Sequence, residues 1–512
     1  MSDSSLVLTH ANVLTQWEEC PRAGAVRAEA GRIVAVGQSV QTDGAEVMDV
    51  GGRTVMPGFV DAHIHLQSVG MAMRSVDLAK AASKAAALGQ IAEAAGHAEP
   101  GTLLRCRGWD ESQWPEKAPP TRAELDRVAA DRPVIAVREC GHVRVANSAA
   151  IAAICAHCGR DEAALAAAGL DRATGMLTGE AGGLAHAYAE PADAEKLEAL
   201  AAGCEAAVQR GITFAHDLSS DAALYVKLRQ QGRLPLRAYV AVHAAGEEVL
   251  PTHPITEADA LLRAGPVKLF ADGSLGAHTA ALREPYADAP DCDGMLYTDP
   301  ALLRRRIAAA HQAGRQVACH AIGDRGLDGL LDAFEAALAE SPRGDHRHRI
   351  EHCEMPDASA IQRMARLGLI GSVQPNFAGR WQRAGGLYET RLGRRRAAGL
   401  NPFAAMAAAG VPLAFGSDGM PMNPLYGVAS AAGHPNPAQR IPIEDAIRCY
   451  TLGGAYAAFA EGEIGRIAPG YACDLVILDD DPTRASPEQI AGVPVAATIV
   501  AGRFAYGGDR RF

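Results

Sequence analysis

Long apolar segments and net positive charge are both missing from this chain of 512 residues. No run of about 18 apolar residues occurs, so a transmembrane helix is not expected. With 49 basic and 60 acidic residues the net charge is −11, which argues against a nucleic-acid-binding surface. Residues 1–20 lack the basic and apolar segments of a secretion signal. We therefore expect a cytoplasmic protein that has a small-molecule partner and binds neither membrane nor nucleic acid.

Lysine is also scarce, because only six of the 49 basic residues are lysines and Lys268 is the last of them. A coding bias towards arginine explains most of this shortage. The 11 cysteines are odd in number and scattered, which is typical of reduced thiols and not of a disulfide framework. Cys155 and Cys158 have CxxC spacing, but no second ligand pair follows at zinc-finger distance. No GxGxxG or GK(S/T) loop follows an early strand, which disfavours a doubly wound nucleotide-binding fold.

What is present in the middle of the chain is an alternation of short apolar segments with alanine-rich helical segments. This is the pattern of β/α units around a parallel sheet. Eight such units predict an α/β fold of the (β/α)8 TIM-barrel type. The eight candidate strands are Met56–His63, Ile212–Asp217, Leu236–His243, Val267–Ala271, Gln316–His320, Arg349–His352, Ile370–Gln374 and Leu413–Asp418.

The two ends of the chain consist instead of short alternating strands separated by turn glycines. We expect residues 1–56 and 462–512 to pair into one small β-sandwich, and residues 57–461 to form the barrel. About 150 residues separate the first two candidate barrel strands, far more than one helix needs. Residues 70–195 are therefore predicted to form an inserted subdomain that covers the active site.

Polar residues cluster where the candidate strands end, which is the face that carries the active site of a parallel barrel. Single histidines at such places are more often structural than functional, and an aspartate after a turn often caps a helix. Their joint occurrence on five strands is hard to explain by packing. The residues are His63 and His65 on the first strand, Lys268 on the fourth, His320 on the fifth, His352 on the sixth and Asp418 on the eighth.

This set of side chains matches the chemistry of a metal site. Neutral imidazoles bind zinc and other borderline divalent ions, and a carboxylate adds an oxygen ligand. We expect one or two divalent ions, with zinc favoured over manganese, iron or cobalt. Lys268 lies in the apolar sequence PVKLF, where an unpaired ammonium group is costly to bury.

With these residues the chain resembles the amidohydrolase superfamily, and within it the YtcJ-like branch (amidohydrolase family 3) that includes N-substituted formamide deformylase. The HxH pair with a later aspartate is specific for the superfamily. The sequences DGSLGAHTAAL, at 272–282, and GSDGMPMNPL, at 416–425, are specific for the branch. The resemblance covers nearly the whole chain and implies a metal-bearing barrel with a small β-sandwich. The segments that carry it include PGFVDAHIHL at 57–66, GMLTGEA at 175–181, VKLFADGSLGAHTAAL at 267–282, RHRIEHCEM at 347–355 and GSDGMPMNPLYG at 416–427.

The resemblance also implies roles for individual residues. His63 and His65 are similar to ligands of a first metal, and His320 and His352 to ligands of a second. Asp418 matches the catalytic acid/base and is also a candidate ligand of the first ion. Lys268 matches a lysine that many members carbamylate (N6-carboxylate) to bridge two metals, and Glu180 is the rival bridging ligand. Arginine is unsuited to that reaction because its guanidinium stays protonated.

Weaker candidates for substrate binding lie near the same face or in the insertion. For each of them a structural role is the alternative, since buried aromatics, turns and surface charges use the same residue types. They are Trp109, His142, Arg144, Asp217, Asp272, His278 and Gln374.

The function implied is metal-dependent hydrolysis of a C–N bond in an amide, an N-formyl amine or a cyclic amide. Deamination or ester hydrolysis on the same site is the nearest alternative. A catalytically silent regulatory or binding homologue is a further one, although such a protein would be expected to have lost a ligand. The assembly stays open, with a homodimer as the commonest closed form.

Overall fold

The computed structural model describes residues 5–139, 141, 143–218, 221–244, 246–257 and 259–508. The chain divides into two compact units. The first contains Met1–Leu66 together with Ala201–Phe512, and the second contains Gln67–Leu200. Within the described residues, none of the helices is both long and apolar enough to cross a lipid bilayer.

The first unit is built on a sheet of eight strands in which neighbours along the chain are neighbours in the sheet. All pairings that link them are parallel. The strands are β1 (Phe59–Ile64), β2 (Ile212–Asp217), β3 (Arg237–His243), β4 (Leu262–Phe270), β5 (Val317–Ala321), β6 (Arg349–His352), β7 (Ile370–Val373) and β8 (Leu413–Phe415). Most of their residues are buried because the strands are covered on both faces, as expected of a parallel sheet.

The two edges of this sheet meet next to the first candidate ligand. The amide of Asp418, just after β8, donates to the carbonyl of His63 on β1 at 2.7 Å. Gly416 makes this approach feasible, because a Cβ atom there would lie 2.4 Å from the backbone nitrogen of His63. The sheet thus curls into a barrel whose closure brings the polar ends of β1 and β8 together.

Helices follow most of the barrel strands and cover the outside of the sheet. Between β3 and β4 the described residues form no helix. Aspartate N-caps start several helices, as Asp357 does at the helix after β6. The helices of this unit are Ala222–Gln230, Pro300–Gln312, Asp324–Glu340, Ala358–Leu367, Pro375–Trp381, Leu387–Ala397, Phe403–Ala408, Pro424–Ala432, Ile443–Arg448, Gly454–Ala457 and Pro487–Ile490.

Two further sheets in this unit share one apolar core, and the larger combines both ends of the chain. Leu475–Leu478 pairs antiparallel with Thr54–Pro57, directly before β1. In sheet order, the larger contains Arg503–Tyr506, Val495–Val500, Leu475–Leu478, Thr54–Pro57, Asn12–Leu14 and Arg22–Ala23, and the smaller Arg32–Gly37, Ala25–Glu29, Ser5–Thr9 and Glu46–Asp49. The expected barrel is confirmed, and so is the β-sandwich formed by both ends of the chain.

The second unit falls between β1 and β2, as expected of an insertion after the first barrel strand. It contains a six-stranded sheet, in the order Leu170–Asp171, Met176–Leu177, Arg144–Ala146, Val134–Arg138, Leu104–Trp109 and Val76–Asp77. Its helices are Leu66–Met73, Lys84–His97, Arg122–Val128, Ser148–Cys158, Glu162–Ala167, Gly179–Ala189 and Asp193–Val208, the first and last of which extend into the barrel unit.

Candidate metal centre

The end of β1 carries the first two histidines, and a buried aspartate fixes the backbone beside them. One carboxylate oxygen of Asp61 accepts the backbone N–H groups of His63 at 3.2 Å and of Ser417 at 2.9 Å. Its other oxygen accepts the Ser417 hydroxyl at 2.5 Å. Burial raises the pKa of Asp61 to about 7. Asp61 therefore ties the segment after β8 to the backbone of β1.

Asp418 lies between these two imidazoles. Its Oδ1 is 3.0 Å from Nε2 of His65 and 3.8 Å from Nε2 of His63. Burial would raise the pKa of this carboxyl, but the hydrogen bond from His65 and the electrostatic effects of the neighbouring His63, His65 and Lys268 lower it below the usual value. Its backbone φ is +53°, a region that non-glycine residues seldom adopt. Asp418 is thus a charged acceptor held at a strained turn, a combination common at functional sites.

The ends of β5 and β6 bring two more histidines to the same place. The ring centroids of His320 and His352 are 4.4 Å apart, and those of His352 and His63 are 4.7 Å apart. Nε2 of His320 hydrogen bonds to the carbonyl of Gly273 at 2.9 Å, which leaves Nδ1 as its acceptor nitrogen. Burial lowers the pKa of His320 to about 4 and holds that of His352 well below the usual value. Both imidazoles are therefore neutral, the form that binds metals.

Lys268 lies on β4 and is buried, with 2% of its surface exposed. Its Nζ is 4.9 Å from the ring centroid of Phe270, and no described residue forms a hydrogen bond or an ion pair with it. Burial lowers its pKa, although the charges of Glu351 and Asp418 act in the opposite direction. The structure therefore presents a buried, unpaired amine close to the histidines.

Three of these residues are placed as ligands of one divalent metal ion would be. Ligand atoms of His63, His352 and Asp418 all lie within 4.8 Å of one another. Nε2 of His63 and Nδ1 of both His65 and His352 are buried without a hydrogen-bond partner in the described part of the chain. A buried polar atom without a partner is costly, by about 1–3 kcal/mol. A metal ion would satisfy such nitrogen lone pairs.

Comparison with known proteins decides the family. The sequence model of the amidohydrolase family matches residues 46–506. This chain is a member of the amidohydrolase family. It is 30% identical to the putative amidohydrolase YtcJ of Bacillus subtilis, over 96% of this chain and 98% of that protein. It is 28% identical to N-substituted formamide deformylase of Arthrobacter pascens, over 98% of each.

A solved structure agrees with this assignment. An uncharacterized metal-dependent hydrolase from Pyrococcus furiosus is 26% identical to this chain and superposes with a TM-score of 0.78. The alignment covers 94% of this chain and 100% of that structure. The solved structure and the sequence model therefore agree on the family and fold of this amidohydrolase.

Two aspartates that the sequence nominates for substrate binding are engaged in structural hydrogen bonds of this amidohydrolase. Asp217 on β2 accepts the backbone N–H of Leu66 at 2.9 Å and the hydroxyl of Tyr225 at 2.8 Å. Asp272 accepts three backbone N–H groups, which belong to Ala281, Ile322 and Gly323, at 2.8–3.0 Å. Burial raises the pKa of Asp272 to about 6. Both carboxylates hold loops in place around the candidate centre.

The other two nominated residues of the barrel unit differ in exposure. His278 is partly exposed, and its Nε2 lies 3.0 Å from a carboxylate oxygen of Asp288. Gln374 directly follows β7 and is buried, with its side-chain oxygen lacking a partner among the described residues. Of the nominated substrate residues of this unit, Gln374 is therefore the one with an unused buried acceptor.

The remaining nominated residues belong to the second unit, which is described by itself. Trp109 packs in its apolar core and is 1% exposed. Arg144 begins the short strand Arg144–Ala146, and His142 lies outside the described residues. Glu180 is 61% exposed in its side chain and pairs with Arg160 at 2.8 Å. In its own unit, Glu180 is thus a surface carboxylate with a cationic partner.

The sequence does not indicate one contact of a candidate ligand, that of Glu351 with His63. Glu351 precedes His352 and lies with one oxygen 2.7 Å from Nδ1 of His63. Side chains of adjacent strand residues normally point to opposite faces, but His352 and Cys353 have φ values of +68° and +50°. This turn of the backbone lets Glu351 and His352 approach the same imidazole, and no sequence pattern announces it.

Proposed function

We propose that this amidohydrolase cleaves the C–N bond of a small amide, N-formyl amine or cyclic amide, with Asp418 as proton carrier. The observation that carries the proposal is a charged carboxylate lying between two imidazoles, one of which has an unpaired Nε2. The similarity to N-substituted formamide deformylase over 98% of both chains supports N-formyl amines as the first substrates to test.

The residues that would hold the metal are His63, His65, His320, His352 and Asp418, with Lys268 as a candidate bridge after carbamylation. A divalent ion at such a site supplies an activated water and polarises a carbonyl. Zinc is the ion we expect, since neutral imidazoles and carboxylate oxygens suit it.

The proton has a defined route on Asp418. Because its pKa is lowered, the carboxylate is charged in the resting enzyme and can accept a proton from the attacking water at Oδ1 or Oδ2. The oxygen of that water becomes bonded to the carbonyl carbon, and the C–N bond breaks. Asp418 then returns the proton to the leaving nitrogen, so that a carboxylic acid and a free amine result.

A substrate panel tests this proposal directly. The zinc- or manganese-loaded enzyme is offered N-formyl amines, acetamides and lactams, and separately aryl esters and aminopyrimidines as alternative substrates. Release of amine, alcohol or ammonia is measured for each substrate. We expect amine release from at least one amide class. In Asp418→Asn, kcat should fall by about 10²–10⁴-fold, the usual contribution of a general acid–base group.

The opposite outcomes are equally clear. Turnover of only the esters or only the aminopyrimidines would replace the proposal by esterase or deaminase activity. Unchanged amide hydrolysis in Asp418→Asn would remove Asp418 from the proton route. A purified enzyme that takes up no divalent metal would exclude the mechanism altogether.

A further inference from the structure

A buried ion pair lies inside the barrel next to the candidate metal centre. Arg349 and Glu351 both point into the interior from β6, two residues apart, and neither is exposed. Nε of Arg349 donates to one carboxylate oxygen of Glu351 at 2.8 Å, and a terminal nitrogen donates to the other at 3.2 Å. Replacement of a buried ion pair by well-packed apolar residues is often neutral or stabilising, so stability is a weak explanation for this pair.

Arg349 is itself held on several sides. The same terminal nitrogen also lies 2.5 Å from the carbonyl of Ala62 on β1 and 2.8 Å from the hydroxyl of Ser372 on β7. The other terminal nitrogen lies 2.9 Å from Nδ1 of His216 on β2. The guanidinium is planar and only donates hydrogen bonds, so its orientation is defined by these acceptors. The orientation of the Glu351 carboxylate is thereby defined as well.

One carboxylate oxygen of Glu351 also contacts the candidate ligand His63. Its Oε2 lies 2.7 Å from Nδ1 of His63. A carboxylate only accepts hydrogen bonds, so Nδ1 has to carry the proton and Nε2 the lone pair. Nε2 of His63 is one of the buried nitrogens without a partner in the described chain. The hydrogen bond to Glu351 therefore fixes the tautomer of His63 and directs the lone pair of Nε2 towards the other candidate ligand atoms.

We infer that Glu351, oriented by Arg349, is a positioning residue that sets the tautomer and direction of His63 for metal binding. Residues behind a metal-binding histidine commonly act in this way, and their loss lowers metal affinity by about 10–100-fold. The inference rests on His63 being a metal ligand, as proposed above. It assigns the Arg349–Glu351 pair a role in metal affinity beyond the packing of the barrel.

Glu351→Gln is the sharpest test. Because Arg349 offers only donors, the amide oxygen of the glutamine will face Arg349 and its NH2 group will face His63. That arrangement favours the tautomer with the proton on Nε2, which cannot ligate through that atom. We expect zinc affinity, measured by competition with a chromophoric chelator, to fall by about 10–100-fold. We also expect the absorption spectrum of the cobalt-loaded protein to change.

A matched control exists in another buried ion pair of the same unit. Asp474 pairs with Arg237 at 2.5 and 3.0 Å and, like Glu351, is almost fully buried. Asp474→Asn makes the same change from carboxylate to amide, away from the histidines. It should lower the thermal midpoint as Glu351→Gln does, yet leave zinc affinity and the cobalt spectrum unchanged. Unaltered zinc affinity in folded Glu351→Gln would overturn the inference.

Two further variants keep the result decisive. If Glu351→Gln does not fold, Glu351→Asp retains the charge beside Arg349 but withdraws the carboxylate from His63 by one methylene. A normal zinc affinity in that variant would also overturn the inference. His63→Ala separates this inference from the ligand assignment, because retention of all bound zinc there would contradict the assignment itself. Loss of zinc in His63→Ala with normal zinc affinity in both Glu351 variants would contradict only the inference.

Discussion

The barrel contains two histidine clusters, and β6 connects them. One lies at the carboxyl ends of the strands and includes His352, the last residue of β6. The other consists of His311, His346 and His348, and His348 directly precedes β6. Both clusters contain buried imidazoles and close imidazole pairs, with ring centroids 4.4–5.2 Å apart. Histidine density therefore does not distinguish them.

Hydrogen bonding does distinguish them. In the second cluster, the N–H of Val317 donates to Nδ1 of His348 at 3.0 Å, and Nε2 of His348 contacts Nδ1 of His311 at 2.9 Å. Nε2 of His311 reaches the carbonyl of Ser341 at 2.6 Å. A backbone donor at one end and a backbone acceptor at the other fix each tautomer. No nitrogen of this chain of contacts is left for a metal.

In the first cluster, by contrast, several ring nitrogens lack a hydrogen-bond partner. Three of its ring nitrogens are buried without partners among the described residues, and Lys268 beside it is likewise unpaired. Unsatisfied buried groups need an explanation such as a missing ion or a catalytic role. The comparison teaches that hydrogen bonding separates these two clusters, which spacing and burial do not.

Substituting one histidine in each cluster should have the most unequal effects. In His63→Ala we expect metal content and hydrolysis to fall by more than about 100-fold, since a ligand is worth more than the groups behind it. In His348→Ala we expect both to be retained, while unfolding becomes easier by about 1–3 kcal/mol because buried partners lose their hydrogen bonds. Metal analysis and urea denaturation of both variants check this. Metal loss in His348→Ala would break the comparison.

Lys268 offers the next largest effect. If its amine forms a carbamate that bridges two ions, Lys268→Ala should lose one of them, and acetate or propionate should restore binding and rate in part. Lys268→Arg is the matched control, because arginine keeps the charge but cannot be carbamylated, and it should not be rescued. Metal retained in Lys268→Ala without any rescue would favour Glu180 as the bridge.

The barrel and much of the candidate centre could be predicted from the sequence. Short apolar strands ending in polar residues define their own boundaries, so the predicted range 212–217 of β2 agrees with the structure. The predicted ligands come together because the carboxyl ends of parallel strands share one face. His63 and His352 are the clearest example, with ring centroids 4.7 Å apart.

The partners of the site residues could not be predicted, because they depend on tertiary contacts. The sequence makes Asp272 a candidate for substrate contact, but it does not indicate the three backbone N–H groups that donate to its carboxylate. Strand alternation predicts that Glu351 lies on the face opposite to His352, so the sequence does not indicate a contact of Glu351 with the candidate ligands. Only the left-handed backbone at His352 reverses that expectation.

Acidification should probe the second cluster with a smaller effect. Burial lowers the pKa of His348 to about 2, whereas in the unfolded chain it is near 6.5. The unfolded state therefore binds more protons below pH 6.5, so stability is present above that pH and is lost as the pH falls. The loss from His348 amounts to about 1.4 kcal/mol per pH unit.

A conservative variant isolates this contribution from that of the other buried histidines. Glutamine also offers one acceptor and one donor but does not titrate, so the stability of His348→Gln should depend less steeply on pH between about 6 and 4. Urea midpoints of both proteins across this range measure the difference. Parallel pH dependences would mean that His348 is not held neutral by its partners.

Glu180 should give the smallest effect and extends the comparison to a carboxylate. Like His348, it already has a partner in its own unit, since Arg160 lies 2.8 Å away, and its side chain is 61% exposed. Exposed ion pairs contribute about 0–1 kcal/mol, so Glu180→Gln should change unfolding little. If a group that already has a partner does not bind metal, the number of ions per chain should also stay unchanged. The opposite result would be loss of an ion in Glu180→Gln while Lys268→Ala retains both ions. It would show that a paired surface carboxylate can exchange its arginine partner for a metal. Hydrogen bonding would then not distinguish metal ligands outside the barrel.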